Sequence, residues 1–185
     1  MLKNLICQMI KTLAKFVLNK VIRWKFIGYF PEDEKYIIAV VPHSSYFDLI
    51  IAVLIRTYSG IKIKFIGKKE LFNPFSAFFF RFLGGIPVDR GEKTNLVDSV
   101  VNLFHLNKIK ILAIAPEGTR KNVKKWKTGF YYIALKANLP ILMVSFDYKR
   151  KQVMINKKFF PTGNIKADFL QLEKMVNDVL ARNKI

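Results

Sequence analysis

The chain reads as a single α/β domain with a largely parallel central sheet flanked by helices. Three features of its 185 residues predict this. Short apolar runs of strand length alternate with longer segments of helical periodicity, the pattern of strands joined by crossover helices. The length suits one domain with a sizeable core, and apolar residues reach 51% with 17 Phe, which excludes disorder. Polar loops fall where the predicted strands end, the edge at which such sheets gather function.

The first 25 residues form a segment distinct from the domain that residues 26–185 make. Its longest uncharged run is 4–10, because Lys3, Lys11, Lys15, Lys20 and Arg23 interrupt it. It therefore lacks the roughly 20 apolar residues that a spanning helix needs. Leu2, Leu5, Ile6, Met9, Leu13, Phe16 and others through Trp24 recur at helical spacing, with the basic residues mostly between them and no acidic residue at all. This describes an amphipathic helix lying in a membrane interface with its lysines towards anionic headgroups.

A first strand is expected over 24–30 and closes at the turn-like PEDEK of 31–35. Residues 36–41 are a continuous apolar run of strand length, followed by a Pro-His corner and an apolar helix to about 57. KIKFIG at 62–67 alternates as a strand should. Asn73 then caps, and Pro74 opens, a short helix whose phenylalanines lie on nearly every side. Such a helix is either wholly buried or faces something apolar outside the protein. Gly84-Gly85 ends it, 86–90 is a short extended piece, and 94–106 is an amphipathic helix. A strand over 108–115 runs into PEGTR, and after a basic loop 129–137 is helical and 139–148 a strand. A further strand or hairpin at 150–155 precedes a final helix over 166–182, with Asp168 near its start.

Lys and Arg number 32 against 13 Asp and Glu, a net charge of +19. That balance implies a polyanionic partner, either nucleic acid or an anionic membrane face. RNA binding would place aromatics across a basic sheet face, whereas most Phe here cluster in one helix-like block, so no specific nucleic acid is expected. The single Cys7 excludes an internal disulfide framework and, with only two His, leaves no metal cluster. A reducing, cytosolic setting follows.

The stretch IIAVVPHSSYFDL, residues 37–49, carries the first candidate chemistry. His43 and Asp48 would point about 140° apart on one continuous helix. Across a strand-to-helix corner, with the strand ending near Pro42 and the helix starting near Ser45, the imidazole folds back onto the carboxylate. The carboxylate then holds one tautomer and supports a positive charge on the ring, which is a general-base arrangement. An ordinary corner with a surface His and a first-turn Asp has the same sequence, so other loops must decide. In PEGTR, Pro116 ends the strand, Gly118 permits a turn, Glu117 offers a carboxylate and Arg120 a planar fork suited to phosphate. Arg90, at the end of GGIPVDR, is a second phosphate candidate, with Asp89 beside it as an alternative ion-pair partner.

His43-x-x-x-x-Asp48, GGIPVDR and Pro116-Glu117-Gly118-Thr119-Arg120, in this order, resemble the glycerolipid acyltransferase family of bacterial 1-acylglycerol-3-phosphate acyltransferases. The likeness spans about residues 24–148. It departs in a fourth block, where LPILMV keeps Pro140 but has Met143 in place of a second proline. The resemblance implies transfer of a fatty acyl group from acyl-CoA or acyl carrier protein to a lysophospholipid hydroxyl, with no cofactor. It implies His43 as general base, Asp48 as its orienter, and Arg90, Glu117, Gly118, Thr119 and Arg120 as the acceptor site. A peripheral enzyme on the cytoplasmic face of the membrane is the expected setting. Other lysophospholipid, amino-lipid or glycolipid acceptors remain open, as does a non-enzymatic basic module.

Overall fold

The computed structural model describes residues 2–32, 34–88, 93–119, 123 and 125–183. Its centre is a sheet of seven strands: β1 (Lys25–Ile27), β2 (Tyr36–Val40), β3 (Ile63–Lys68), β4 (Gly85–Val88), β5 (Ile111–Ile114), β6 (Ile141–Asp147) and β7 (Gln152–Phe159), in the order β1-β7-β6-β2-β5-β3-β4. Every neighbouring pair is parallel except β6 with β7. The largely parallel sheet expected from sequence is therefore present, with β7 and β1 reversed at one edge. Strands β2 and β6 are almost wholly buried, which explains their unbroken apolar runs.

The two-residue period of the strands sorts their side chains into two cores. Ile37, Ala39, Leu112, Ile141 and Met143 face α4 (Lys93–His105), α5 (Gly129–Lys136) and α6 (Ile165–Asn183), packing with Phe104, Phe130, Leu172 and Val176. Tyr36, Ile38, Ile111, Leu142 and Val144 face the opposite way, onto Ile51 and Ile55 of α2 (Phe47–Ser59) and onto Leu18 and Trp24. Helices thus cover both faces. The helix after β2 lies on one face and the helix after β5 on the other, although β2 and β5 are adjacent and parallel. A crevice opens between the carboxyl ends of two such strands, because their connections leave in opposite directions.

The N-terminal segment is helical, but not as one uniform stripe. Helix α1 (Leu2–Phe16) gives way to a wider, π-type turn at Val17–Val21. Ala14, Leu18 and Trp24 turn inwards and are buried, whereas Leu5, Ile6, Met9, Ile10, Leu13 and Phe16 remain exposed. Lys15 stacks its ammonium over the Tyr58 ring near the end of α2. No helix among the described residues is long and apolar enough to cross a membrane.

Helix α6 is fixed at both ends. Asn164 caps it, its Oδ1 accepting the Ala167 N–H at 3.3 Å. One turn in, the buried Asp168 accepts hydrogen bonds from Tyr131 OH (2.7 Å) and from the N–H and hydroxyl of Thr162 (2.7 and 2.8 Å). Burial alone would raise the Asp168 carboxyl, but these donors outweigh it and hold its pKa below the ordinary value. At the far end, Arg182 Nε donates to the buried Asp147 at 2.8 Å. Asn183 donates to Phe146 O at 2.6 Å and accepts the Tyr148 N–H at 3.2 Å.

Replacing Asp168 by Asn would turn amide hydrogens towards donors and is expected to cost roughly 2–4 kcal/mol at neutral pH. A lowered carboxyl pKa gives stability that is present above the unfolded value and lost as pH falls through the folded one. The gap between wild type and Asp168→Asn in urea unfolding should therefore be largest near neutrality and shrink below about pH 4.

Candidate active site

The crevice at the ends of β2 and β5 is where the first and third motifs meet. Residue pairing along these strands brings Ala39 opposite Ile114, so the chain leaves both at the same level, one into His43 and the other into Glu117. After β2 the backbone passes a cis peptide before Pro42 and turns at residues 43–46 into α2. Asp48 is the second residue of that helix, on its first turn, where a carboxylate also suits the helix dipole.

The corner closes through reciprocal bonds of the capping-box kind. Ser45 Oγ accepts the Phe47 N–H at 3.0 Å, and Asp48 Oδ2 reaches back to accept the Ser45 N–H at 3.1 Å. The same Asp48 oxygen lies 3.0 Å from His43 Nδ1. This places a proton on Nδ1 and leaves Nε2 as the nitrogen with a free lone pair in the neutral ring. The imidazole is 26% exposed and the carboxylate 2%, so the ring reaches the crevice while its partner stays dry.

A dry carboxylate requires donors on both oxygens. Asp48 Oδ1 receives one from Tyr148 OH, 100 residues further along the chain. Burial, and then donation to Asp48, push the Tyr148 phenol well above its ordinary pKa, so it stays a donor across the physiological range. Tyr148 follows the last residue of β6, its backbone held by Asn183 and its ring set edge-on against Trp24 at 5.1 Å. Nothing in the sequence around Tyr148 singles it out. Only the pairing of β6 beside β2 brings it to the corner.

Glu117 closes the site from the neighbouring strand. Its Oε2 accepts the His43 N–H at 2.8 Å, so one carboxylate oxygen holds the corner's backbone in place. Burial raises the Glu117 pKa, with the His43 bond and the nearby ring acting in the opposite sense. Gly118 adopts φ +64, a left-handed conformation, and a Cβ there would come within 2.8 Å of the Lys127 stem. The turn is tied by Gly118 N–H to Ala115 O (3.0 Å) and by Lys127 N–H to Pro116 O (2.8 Å). Thr119 follows in the same turn, half-buried. His43, Asp48, Glu117, Gly118 and Thr119 are thus brought together. Arg90 and Arg120 lie outside the described residues.

A family model described as Acyltransferase matches residues 21–147. Among curated proteins, the 1-acyl-sn-glycerol-3-phosphate acyltransferases of Salmonella typhimurium and Escherichia coli are each 28% identical over 127 residues, covering 65% of this chain and 50% of theirs. The chain therefore spans about half the length of the curated relatives it matches. The crystal structure of the 1-acyl-sn-glycerophosphate acyltransferase from Thermotoga maritima superposes with a TM-score of 0.66 at 18% identity, covering 97% of this chain and 80% of that one. At that identity the likeness is one of fold.

Glu117→Ala would leave the His43 N–H without its acceptor, at an expected cost of about 1–3 kcal/mol. Glu117→Gln keeps an amide oxygen and should recover most of that loss. Equal destabilisation of the two variants in urea unfolding would show that the carboxylate charge, and not its acceptor geometry, holds the corner.

Proposed function

The chain belongs to the Acyltransferase family, and from that premise we propose that it is an O-acyltransferase with His43 as its general base. The donor is a fatty acyl thioester of coenzyme A or acyl carrier protein. The acceptor is a lysophospholipid hydroxyl, with 1-acylglycerol-3-phosphate the first candidate. The observation that carries the reading is the bond of His43 Nδ1 to a buried, multiply held Asp48, which leaves Nε2 for the substrate.

An alcohol is a weak nucleophile at neutral pH, so its proton must leave as the new bond forms. In the proposed step, His43 Nε2 takes the hydroxyl proton while the oxygen attacks the thioester carbonyl carbon. The tetrahedral intermediate collapses with cleavage of the C–S bond, and the imidazolium returns the proton to the departing thiolate. Asp48 stabilises the transient imidazolium by its charge and fixes the ring by its hydrogen bond. No acyl-enzyme is required. Ser45 Oγ is occupied as an acceptor for the helix start, which suits a capping role. Arg90 and Arg120 are assigned to the acceptor's phosphate because a guanidinium matches that group with two parallel bonds. The net charge of +19 favours approach to an anionic bilayer and to an acidic carrier. The exposed apolar residues of α1 give the chain a peripheral foothold there.

The decisive assay is thioester release by the purified protein against a panel of lysophospholipids. Release dependent on a phosphorylated acceptor is expected, and His43→Ala should lower turnover by roughly 10²–10⁴-fold with folding retained. Near-normal transfer by that variant would remove the general-base role. Tyr148→Phe deletes one donor to Asp48 while keeping the ring, so kcat should fall about tenfold with the acceptor KM little changed. An unchanged kcat would mean that Asp48 is oriented adequately without it.

A further inference from the structure

The connection between β3 and β4 holds a short helix that is rigidly mounted and yet turns its phenylalanines outwards. It begins with a 3₁₀ turn at Lys69–Phe72 and continues as α3 (Ala77–Phe82). Asn73 Oδ1 accepts the N–H groups of Phe75 and Ser76, both at 3.0 Å, fixing the start. Arg56 of α2 donates to Leu83 O at 2.6 Å, fixing the end. Phe72 and Phe80 pack together at 5.8 Å beneath the helix. Phe72 lies so close to the backbones of Gly67 and Gly85 that a Cβ at either would come within 2.9 Å of its ring.

The other rings have no such place. Phe75 is 98% exposed, Phe78 82%, Phe82 74% and Phe79 54%. A cluster of this kind on a tethered helix marks an interaction surface, since a lone exposed apolar side chain is common but a contiguous group is not. What it meets is indicated by the charges around it. Residues 62–84 carry Lys62, Lys64, Lys68, Lys69 and Arg81 against the single acid Glu70. A cleft of about 340 Å³ at the foot of the helix is lined by Lys69, Arg81, Phe72 and Pro87, which sets two cations beside two apolar walls. Exposed phenyl rings on a helix with basic residues beside it match the boundary between the acyl chains and phosphates of an anionic bilayer.

We infer that this helix is a second docking element, seating Phe75, Phe78 and Phe82 in an anionic lipid bilayer while Lys69 and Arg81 engage its phosphates. It stands apart from α1, yet both flank the last turns of α2, α1 through Lys15 on Tyr58 and α3 through Arg56 on Leu83. The inference rests on the proposed lipid-directed function for its purpose, though not for its evidence. Strand β4, which follows this helix, is itself part of the second motif, so the docked helix would hold that strand at the lipid surface.

The test measures co-sedimentation of the full chain with vesicles of phosphatidylglycerol and phosphatidylcholine, and with vesicles of phosphatidylcholine alone. It needs no acyl transfer, so loss of docking and loss of the enzymatic reading are seen separately. The triple variant Phe75→Ser, Phe78→Ser, Phe82→Ser replaces only exposed rings. It should keep its Tm and circular dichroism while binding phosphatidylglycerol vesicles roughly 30-fold or more weakly with α1 intact. The pair Lys69→Gln, Arg81→Gln should lose part of the preference for phosphatidylglycerol and show a flatter salt dependence. Unchanged vesicle binding by the folded triple variant would overturn the proposal. So would a wild-type dimer that the triple variant converts to monomer at constant vesicle affinity, since the rings would then meet a second copy of the chain.

Discussion

A carboxylate kept out of water is the constraint on which the site is built. Asp48 is 2% exposed, and removing an ionised group from solvent is costly unless it is fully hydrogen-bonded. Its partners come from different levels of the structure. The Ser45 N–H belongs to the helix start and is set by local chain geometry. The His43 ring belongs to the strand end just before it. The Tyr148 hydroxyl arrives from the far end of β6 and requires the central sheet to be assembled in the right order. The charged centre therefore samples the integrity of the corner and of the sheet at once, and a fault in either is felt at the imidazole.

The sheet supplies this assembly through its order. Adjacent parallel strands β2 and β5 send their following helices to opposite faces, so the loops after them border one crevice. Glu117 then serves as a clasp between the two loops, its carboxylate oxygen on the His43 backbone. This gives Glu117 a task besides the acceptor contact that family resemblance implies for it. The net upward pull of burial on its pKa belongs to a group held in the wall of the crevice.

Much of this was legible in the chain because the relevant signals are local. Buried parallel strands appear as unbroken apolar runs, and Tyr36–Val40 and Ile141–Asp147 are both of this kind. The His43–Asp48 corner could be argued from the incompatibility of their spacing with one helix, and the helix start could be placed near Ser45. What could not be read depends on tertiary packing. Tyr148 carries no local mark, and its partner lies 100 residues away. The N-terminal stripe looked continuous through Trp24, but Ala14, Leu18 and Trp24 turn into the core while Leu13 and Phe16 stay exposed. For the aromatic block after β3, composition left burial and exposure equally open, and the glycines beneath Phe72 decide which rings go in.

The far end of α6 acquires a meaning beyond fastening a helix. Arg182 and Asn183 grip the end of β6, and Asn183 holds the backbone of the very residue whose hydroxyl completes the Asp48 shell. The contact of residue 48 with 148 spans 100 residues and that of 148 with 183 spans 35, and long loops close at an entropic cost that only other native contacts repay. The corner and its clasp are made by residues up to 117, whereas the brace behind Tyr148 is supplied by residue 183. A disturbance there would therefore reach the imidazole through Tyr148 and Asp48, so the pair at the corner depends on a grip made at the far end of α6.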